Sequence, residues 1–293
     1  MLDKERLGTE IKRLRKDKKF TQHQLASGIC SQSEISRIEA GEFFPSIDVL
    51  YHLANRLQLP IGYFFEVLTH GQAAETKALK DKVQKLSSSK NYEELLLYLE
   101  EITKKFNNYH IETKKFLSWQ KFMAEYYLKK IDVRNCLTEL YLLTKKELAG
   151  IDVLLDMHIK NSIANILAEN KKYSESIEIY QDILNKNIDS SEADKLKLKI
   201  LYNYGKVLYL KKAYTSSLLK TNQGIDLSLK LGNMSLLGQF YYQKGALLEE
   251  TDACAMDIAS AYKKAQFFFD LLELKIYKHI LMDNKAEFLS SQS

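Results

Sequence analysis

A pattern of apolar or small residues that recurs about every 41 positions constrains most of this 293-residue chain. Each copy places such residues at offsets 0, 3, 7 and 10, which lie on one face of an α-helix. The copies begin at Tyr92, Val133, Tyr173, Tyr214 and Ala255, so successive starts are 41, 40, 41 and 41 residues apart. Repeats of this length bury their apolar faces by stacking on one another. The pattern therefore predicts an all-α solenoid over residues 91–293.

The repeats resemble the tetratricopeptide repeat, although their period exceeds its usual length of about 34 residues. A helical segment precedes each copy, most clearly residues 201–209, in which Gly205 allows a paired helix to approach closely. The resemblance implies a right-handed α-solenoid of about five helix pairs. Residues 270–288 are expected to form a terminal capping helix.

Residues 21–46 predict two short helices joined by a tight turn. Thr21 can cap the first helix, Ser31 or Ser33 can cap the second, and Gly41 can end it. The inward residues at helical spacing are Leu25, Ala26 and Ile29, then Ile35 and Ile38. Gln32, Ser33, Ser36 and Arg37 would point outward near the start of a helix, where a helix-turn-helix protein presents side chains to bases. An ordinary helical hairpin is the alternative interpretation.

The flanking segments complete a predicted five-helix domain over residues 1–68. The expected inward residues are Leu7, Ile11 and Leu14, then Ile47, Leu50, Leu53, Ala54 and Leu57 after the Ser46 cap, then Phe64, Phe65 and Leu68 after Pro60. Basic side chains that could contact phosphates are Lys12, Arg13, Arg15, Lys16, Lys18 and Lys19. A solvated charged surface would look the same. Residues 69–90 are interpreted as a linker, with a helix over residues 75–86 whose apolar stripe is Ala78, Leu79, Val83 and Leu86.

Composition excludes few functions beyond membrane and secreted ones. A net charge of +5 is compatible with DNA binding without arguing for it. No apolar run reaches the roughly 20 residues that span a bilayer, and no secretory signal precedes the first domain, so we expect a cytoplasmic protein. Cys30, Cys136 and Cys254 are expected to be buried free thiols. No motif for a metal, a cofactor or catalysis is found, so we expect no cofactor and no enzyme.

Polar side chains of the first helices in the repeats suggest a ligand. The groove-facing set is Asn161, Asn165, Asn203, Lys206, Gln239 and Gln243. Amides along a groove suit an extended peptide backbone, which needs alternating donors and acceptors. Phe240, Tyr241, Tyr242 and Tyr277 could add apolar pockets. Alternatively, the amides are solvated surface or bridge neighbouring helices.

Two resemblances sharpen these expectations. Residues 21–22, 25–26, 33–39, 41 and 45–46 resemble the Cro/phage-repressor class of helix-turn-helix, although Lys19 stands where that class usually has glycine. Residues 116–120, 150–153, 164–166, 168–170, 261–265 and 267–270 resemble PlcR-type peptide-pheromone-responsive transcription factors of Gram-positive bacteria. The first resemblance implies that Gln22 holds a phosphate and that Gln32, Ser33, Ser36 and Arg37 read bases or adjacent backbone, with Thr21 at the same interface.

The second resemblance implies a homodimer that binds a partly palindromic operator in double-stranded DNA and a short, re-imported signalling peptide. The implied peptide contacts are Asn161, Asn203, Gln239 and Tyr277, with Lys90 near a peptide carboxylate, and the groove-facing pattern adds Asn165 to the expected contacts. Ser88 stands where a second lysine is expected and Phe65 where a tyrosine is expected, which suggests a different peptide or weaker peptide dependence. The sign of regulation stays open.

Three other functions are alternatives to peptide-controlled transcription. A constitutive regulator could use the repeats for dimerisation or recruitment of a protein. An enzyme lacks any supporting motif, and a phage immunity repressor or antitoxin would share the head without the long repeat array. The working hypothesis is that peptide tightens the curvature of the solenoid, and that the linker helix transmits this change to the spacing of two heads.

Overall fold

The computed structural model describes residues 3–103, 109, 111–145, 152–186, 188 and 190–290, and all regular structure in these ranges is α-helical. The chain divides into two compact units, Met1–Asn91 and Tyr92–Ser293, here called unit 1 and unit 2. Gly150 and Ile151, two of the residues that carry the resemblance, lie outside the described ranges. None of the helices in these ranges is both long and apolar enough to cross a membrane.

Unit 1 packs short helices around one apolar core. Its helices are α1 (Lys4–Asp17), α2 (Gln22–Ala26), α3 (Gln32–Glu39), α4 (Ile47–Leu57) and α5 (Ile61–Ser88). Leu7, Leu25, Ile35, Leu53 and Phe64 are among the residues that fill the core. The three predicted hydroxyl caps are confirmed: Thr21, Ser31 and Ser46 each accept a backbone N–H from the first turn of the helix that follows.

Several details of the predicted first domain are wrong. Ile29 lies beyond the end of α2 and packs on the core from a turn, while Ile47 is 74% exposed and Phe65 is 48% exposed. Single apolar residues on a surface are common, so helical spacing alone overestimates the buried stripe. The fifth helix and the linker helix are one 28-residue helix, α5, because no proline or glycine interrupts it after Gly71. Ala78 of the predicted linker stripe is exposed, whereas Leu79, Val83 and Leu86 are buried.

Unit 2 is an array of antiparallel helix pairs, as predicted. Its helices are α6 (Tyr92–Thr103), α7 (Ile111–Tyr127), α8 (Val133–Leu143), α9 (Val153–Glu169), α10 (Tyr173–Leu184), α11 (Ser191–Leu210), α12 (Tyr214–Leu231), α13 (Leu237–Glu249), α14 (Ala255–Leu271) and α15 (Lys275–Ser290). Each predicted repeat start is the first residue of a helix, namely α6, α8, α10, α12 and α14. The predicted terminal helix is α15, which is kinked at Lys285.

A small residue lies where the first helix of each pair meets the second. Ala124, Ala164, Gly205 and Gly245 recur at spacings of 40, 41 and 40 residues, and all four are buried. Ser176 of α10 donates to the carbonyl of Ala164 at 2.8 Å, and Ser217 of α12 donates to that of Gly205 at 2.6 Å. The same contact thus repeats in register, because a small residue lets the partner hydroxyl reach the helix backbone.

The tight turns inside the pairs use a left-handed residue. Lys171 and Lys212 each stand two residues before the second helix of a pair, both with φ of 62°, and Lys90 stands two residues before α6 with φ of 57°. Glycine is the usual residue in this conformation because it has no Cβ. A turn supplied by lysine carries no composition signal, so the sequence did not reveal it.

The expectation of three buried thiols is wrong in part. Cys136 is buried, Cys30 is half-buried and Cys254 is exposed. Burial raises the pKa of the Cys136 thiol to about 12, so this thiol stays protonated at neutral pH.

Gly224→Ala should destabilise unit 2 by about 1–3 kcal/mol, the usual cost of overpacking a core. A Cβ at this position would lie 2.2 Å from Cε1 and Cζ of Phe240, whose side chain is fully buried. Urea unfolding of the full chain, followed by circular dichroism, measures the change. The control is Gly62→Ala in α5, where a Cβ would meet nothing within 4 Å. Equal stability of Gly224→Ala and wild type would contradict this packing.

Candidate functional sites

A buried ion pair organises the helix-turn-helix. Arg15 of α1 bonds Glu39 of α3 through Nε at 2.5 Å and through Nη2 at 2.9 Å, and the two side chains are 11% and 2% exposed. Arg15 also donates to the carbonyl of Phe20 at 2.9 Å. The prediction that Arg15 faces phosphates is therefore wrong, since its guanidinium is used inside the unit.

Two predicted DNA-contacting glutamines are tied to this ion pair. Gln22 donates through Nε2 to Glu39 Oε2 at 3.0 Å, and Gln32 donates through Nε2 to Gln22 Oε1 at 2.8 Å. The resulting chain runs from Arg15 to the first residue of α3. It fixes which way both amides point, so that the structure brings Gln22 and Gln32 together at the helix N-termini.

The Glu39 carboxyl is held ionised by its partners. Burial acts to raise its pKa, but hydrogen bonds from Arg15 and Gln22, together with the charge of Arg15, outweigh burial and lower it. The Arg15 pKa is raised, first by the hydrogen bond to Glu39. Both groups therefore carry their charges at neutral pH.

The other predicted DNA contacts lie on the surface of unit 1. Thr21 forms a capping box with Gln24, and the Ser33 hydroxyl lies 2.9 Å from that of Ser31. Ser36 and Arg37 are exposed on α3. Arg37 bonds Glu42 at 2.8 Å and lies over the Phe43 ring at 4.9 Å, so any DNA contact by Arg37 exchanges the Glu42 partner.

The remaining basic side chains of the head differ in how free they are. Arg13 pairs with Glu10 and Asp17, and Lys18 donates to Gln58. Lys12 and Lys16 are exposed. Lys19 is also exposed and has φ of 58°, so it occupies the left-handed position where the Cro class usually has glycine.

Among the predicted peptide contacts, the asparagines of α9 and α11 are half-buried. Asn203 Nδ2 lies 3.4 Å from Asn161 Oδ1, which links neighbouring repeats by a long hydrogen bond. Asn165 is engaged differently, because its Oδ1 accepts from the hydroxyl of buried Tyr180 at 2.5 Å. Asn161 and Asn203 thus keep donors and acceptors for a ligand, while Asn165 bridges two helices of one pair.

The glutamines of α13 are more deeply buried. Gln239 is 6% exposed and Gln243 is 8% exposed, and no described residue hydrogen-bonds to the Oε1 atom of either. Tyr277 of α15 is 40% exposed and stacks on Phe269 at 5.5 Å. Lys90 is exposed and belongs to unit 1, whereas the other five predicted contacts belong to unit 2.

A cavity of about 460 Å³ opens in unit 2 among α11, α13 and α15. Lys206 and Gln243, both expected to face a groove, line it together with Tyr202 and Tyr242. Burial, followed by the nearby hydroxyls of Tyr277 and Tyr242, raises the pKa of Tyr202. Phe240, suggested as a pocket residue, is instead fully buried in the core between helices.

Sequence reasoning missed part of this cavity. Tyr202, Tyr209, Asn284 and Lys285 line it but were not singled out. A signal existed for one of them, since Tyr202 and Tyr242 are 40 residues apart and therefore equivalent in the repeat. Ser162, Asn203 and Gln243 are 41 and 40 residues apart, so they too are equivalent in the repeat. The predicted amides therefore do not all occupy one repeat position.

Comparison with known proteins decides the family. The profile described as the RNPP family C-terminal domain matches residues 80–290, and a helix-turn-helix profile matches residues 11–64. The chain belongs to the RNPP family. The recognition made from the sequence is thereby confirmed. No curated protein sequence matches the chain.

Solved RNPP-like structures match almost the whole chain. Bacillus thuringiensis PlcR in complex with the peptide PapR7 and DNA is 41% identical, with a TM-score of 0.77, covering 96% of this chain and 100% of that chain. The apo form of the same PlcR is 39% identical, with a TM-score of 0.73, covering 96% and 99%. ComR of S. thermophilus, in complex with DNA and its signalling peptide ComS, is 17% identical, with a TM-score of 0.63. The match covers 96% of this chain and 99% of that chain, and it supports the fold alone.

Glu39→Gln should lower the free energy of unfolding of unit 1 by about 3–5 kcal/mol, because it leaves the Arg15 charge buried without its partner. In wild type, the lowered Glu39 pKa stabilises the fold above the unfolded-state pKa of about 4.3, and this contribution disappears as pH falls through the lower folded-state pKa. The difference between variant and wild type should therefore shrink in acid. Thermal unfolding at pH 7 and pH 3 measures both effects.

The matched control is Glu42→Gln, which breaks the Arg37–Glu42 pair on the surface, where the side chains are 61% and 53% exposed. Exposed pairs contribute only about 0–1 kcal/mol. If Glu39→Gln cost no more than this control at pH 7, the ion pair would not organise the head.

Proposed function

We propose that the chain is a quorum-sensing transcriptional regulator that binds promoter DNA as a homodimer and is controlled by a short signalling peptide. The observation that carries this proposal is the 41% identity to PlcR over 96% of the chain. The matched PlcR structure contains both a peptide and DNA. The family and its solved relatives are regulators rather than enzymes. We place the protein in the cytoplasm, where it meets promoter DNA.

Residues 1–68 act as the DNA-binding head in this proposal. Gln22 and Gln32 are held by the chain of hydrogen bonds from the Arg15–Glu39 pair, and the exposed Thr21 caps the N-terminus of α2. Backbone N–H groups at a helix N-terminus favour a phosphate. The exposed residues Ser33, Ser36 and Arg37 of α3 then face bases or adjacent backbone.

Residues 91–293 act as the peptide-binding and dimerisation domain. The residues proposed to contact peptide are Lys90, Asn161, Asn165, Asn203, Gln239 and Tyr277. Asn161 and Asn203 offer donors and acceptors at half-buried positions, and the Gln239 carbonyl has no donor among the described residues. Asn165 has the weakest support, because Tyr180 already occupies its carbonyl.

Residues 69–90 act as the linker. Residues 69–88 belong to the continuous helix α5, which begins at Ile61 inside the head. Two heads can occupy successive major grooves only when held about 34 Å apart. Peptide binding would change the curvature of the repeats, and α5 would transmit that change to the head spacing. The alternative is a peptide-independent regulator whose repeats serve dimerisation or recruitment of a protein.

Arg37→Ala should weaken binding to the specific operator by about 1–3 kcal/mol if Arg37 pairs with guanine. Fluorescence anisotropy with the operator and with a scrambled duplex measures the change. The affinity for the scrambled duplex should fall much less. An equal loss on both duplexes would mean that Arg37 contacts phosphate instead of a base.

Asn203→Ala should abolish the response to peptide, because it removes the amide proposed to bond the peptide. The fold should stay intact, because Asn203 is only half-buried on α11. Operator affinity is measured for wild type and variant, with and without peptides selected from a library of short synthetic peptides. Wild type should change its affinity with a selected peptide, and the variant should not. If no peptide changes the operator affinity of wild type, the peptide-independent alternative is favoured.

A further inference from the structure

The cavity among α11, α13 and α15 carries an uncompensated positive charge. Lys206 lines it, is exposed to solvent, and forms no ion pair with any described residue. The second lysine at the cavity, Lys285, is neutralised by Glu249 at 2.6 Å. No aspartate or glutamate is among the lining residues.

Two carboxylates that bond lining residues of the cavity are already engaged. Glu249 accepts from Lys285 and from the hydroxyl of Tyr262, and Glu250 accepts from the hydroxyl of Tyr209 at 3.1 Å. The Lys206 ammonium is therefore available to an anion that enters from outside. The rings of Tyr202 and Tyr242 beside it lower the local dielectric, which strengthens such a pair.

A buried amide side chain lies in the wall of the same cavity. Gln243 is more than nine-tenths buried, lines the cavity, and has no donor for its Oε1 among the described residues. A buried acceptor without a partner costs about 1–3 kcal/mol. Because Oε1 is enclosed by protein, the amide must turn toward the cavity before a ligand N–H can bond it and remove that cost. Gly205 makes room for this side chain, since a Cβ there would lie 3.0 Å from Gln243 Nε2 and 3.2 Å from Oε1.

We propose that this cavity is the subsite for a carboxylate of the signalling peptide. Lys206 pairs with the carboxylate, and the Gln243 amide turns toward the cavity so that its Oε1 accepts a neighbouring peptide N–H. An anion next to an amide N–H is the combination that a cation and a buried carbonyl oxygen recognise together. The inference rests on the proposed function, and it gives specific roles to two members of the groove-facing set, Lys206 and Gln243.

The carboxylate has two possible sources, the peptide C-terminus and an acidic side chain. Two matched libraries of random short synthetic peptides, one with free C-terminal carboxylates and one with C-terminal amides, are screened for binding to the full chain by fluorescence polarisation. Binders are then resynthesised with each Asp or Glu replaced by Asn or Gln. Loss on amidation identifies the C-terminus, and loss on an internal replacement identifies a side chain.

Lys206→Met and Lys195→Met form a matched pair, because both remove an exposed lysine from α11 and only the first lies at the cavity. Removing the recognised carboxylate should weaken binding about tenfold or more in wild type and in Lys195→Met, but hardly at all in Lys206→Met.

Gln243→Met should weaken peptide binding about two- to tenfold, and N-methylation of the peptide bond beside the carboxylate should cause no further loss of affinity in that variant.

The outcomes separate this inference from the proposed function. Peptides that bind and change operator affinity, while none of their carboxylates couples to Lys206, would overturn the subsite and leave the proposed function standing. Peptides whose carboxylate couples to Lys206 without any change in operator affinity would support the subsite and contradict peptide control. Libraries that yield no binder would overturn both.

Discussion

Close contact between the two helices of each pair is the constraint on which unit 2 depends. A small residue recurs at the crossing, as Ala124, Ala164, Gly205 and Gly245, and two of these positions receive the same serine hydroxyl bond on their carbonyls. At Gly245 a Cβ would lie 2.7 Å from the Tyr262 ring, so nothing larger fits without movement. Since each pair contacts only its neighbours, the spacing set at one crossing is passed along the array.

The fold was predictable where buried residues repeat along the chain, and less predictable at turns and at exposed apolar residues. All five helices that carry the repeated pattern begin at the predicted residues, because an apolar face must be buried in every copy and so leaves a regular trace. The turns before α10 and α12 left no trace, because lysines rather than glycines adopt the left-handed conformation there. Ile47 and Phe65 were misplaced because an apolar residue at helical spacing can also face solvent.

The candidate sites were predictable to different degrees for a physical reason. In the head, Gln22 donates to Glu39 and Gln32 donates to Gln22, and all three residues stand at fixed places in a short, common motif. The exception is Arg15, whose partner lies 24 positions away and could not be read from local spacing. In the repeats, residue type predicted a set of amides for a ligand, but which of their atoms remain free depends on neighbours such as Tyr180. The cavity itself needs α15, whose kink at Lys285 no pattern indicates.

The cavity also suggests how a small ligand could bias the array. Its walls come from α11, α13 and α15, which belong to successive layers of the solenoid, so a ligand bound to Lys206 and Gln243 contacts more than one layer. A ligand shifts a conformational equilibrium only by the difference in its affinity for the two states. A charge pair and a buried hydrogen bond are sensitive to small displacements between layers, because both weaken steeply with distance and angle. Contacts of this kind, rather than apolar contact that tolerates sliding, would make binding energy depend on curvature.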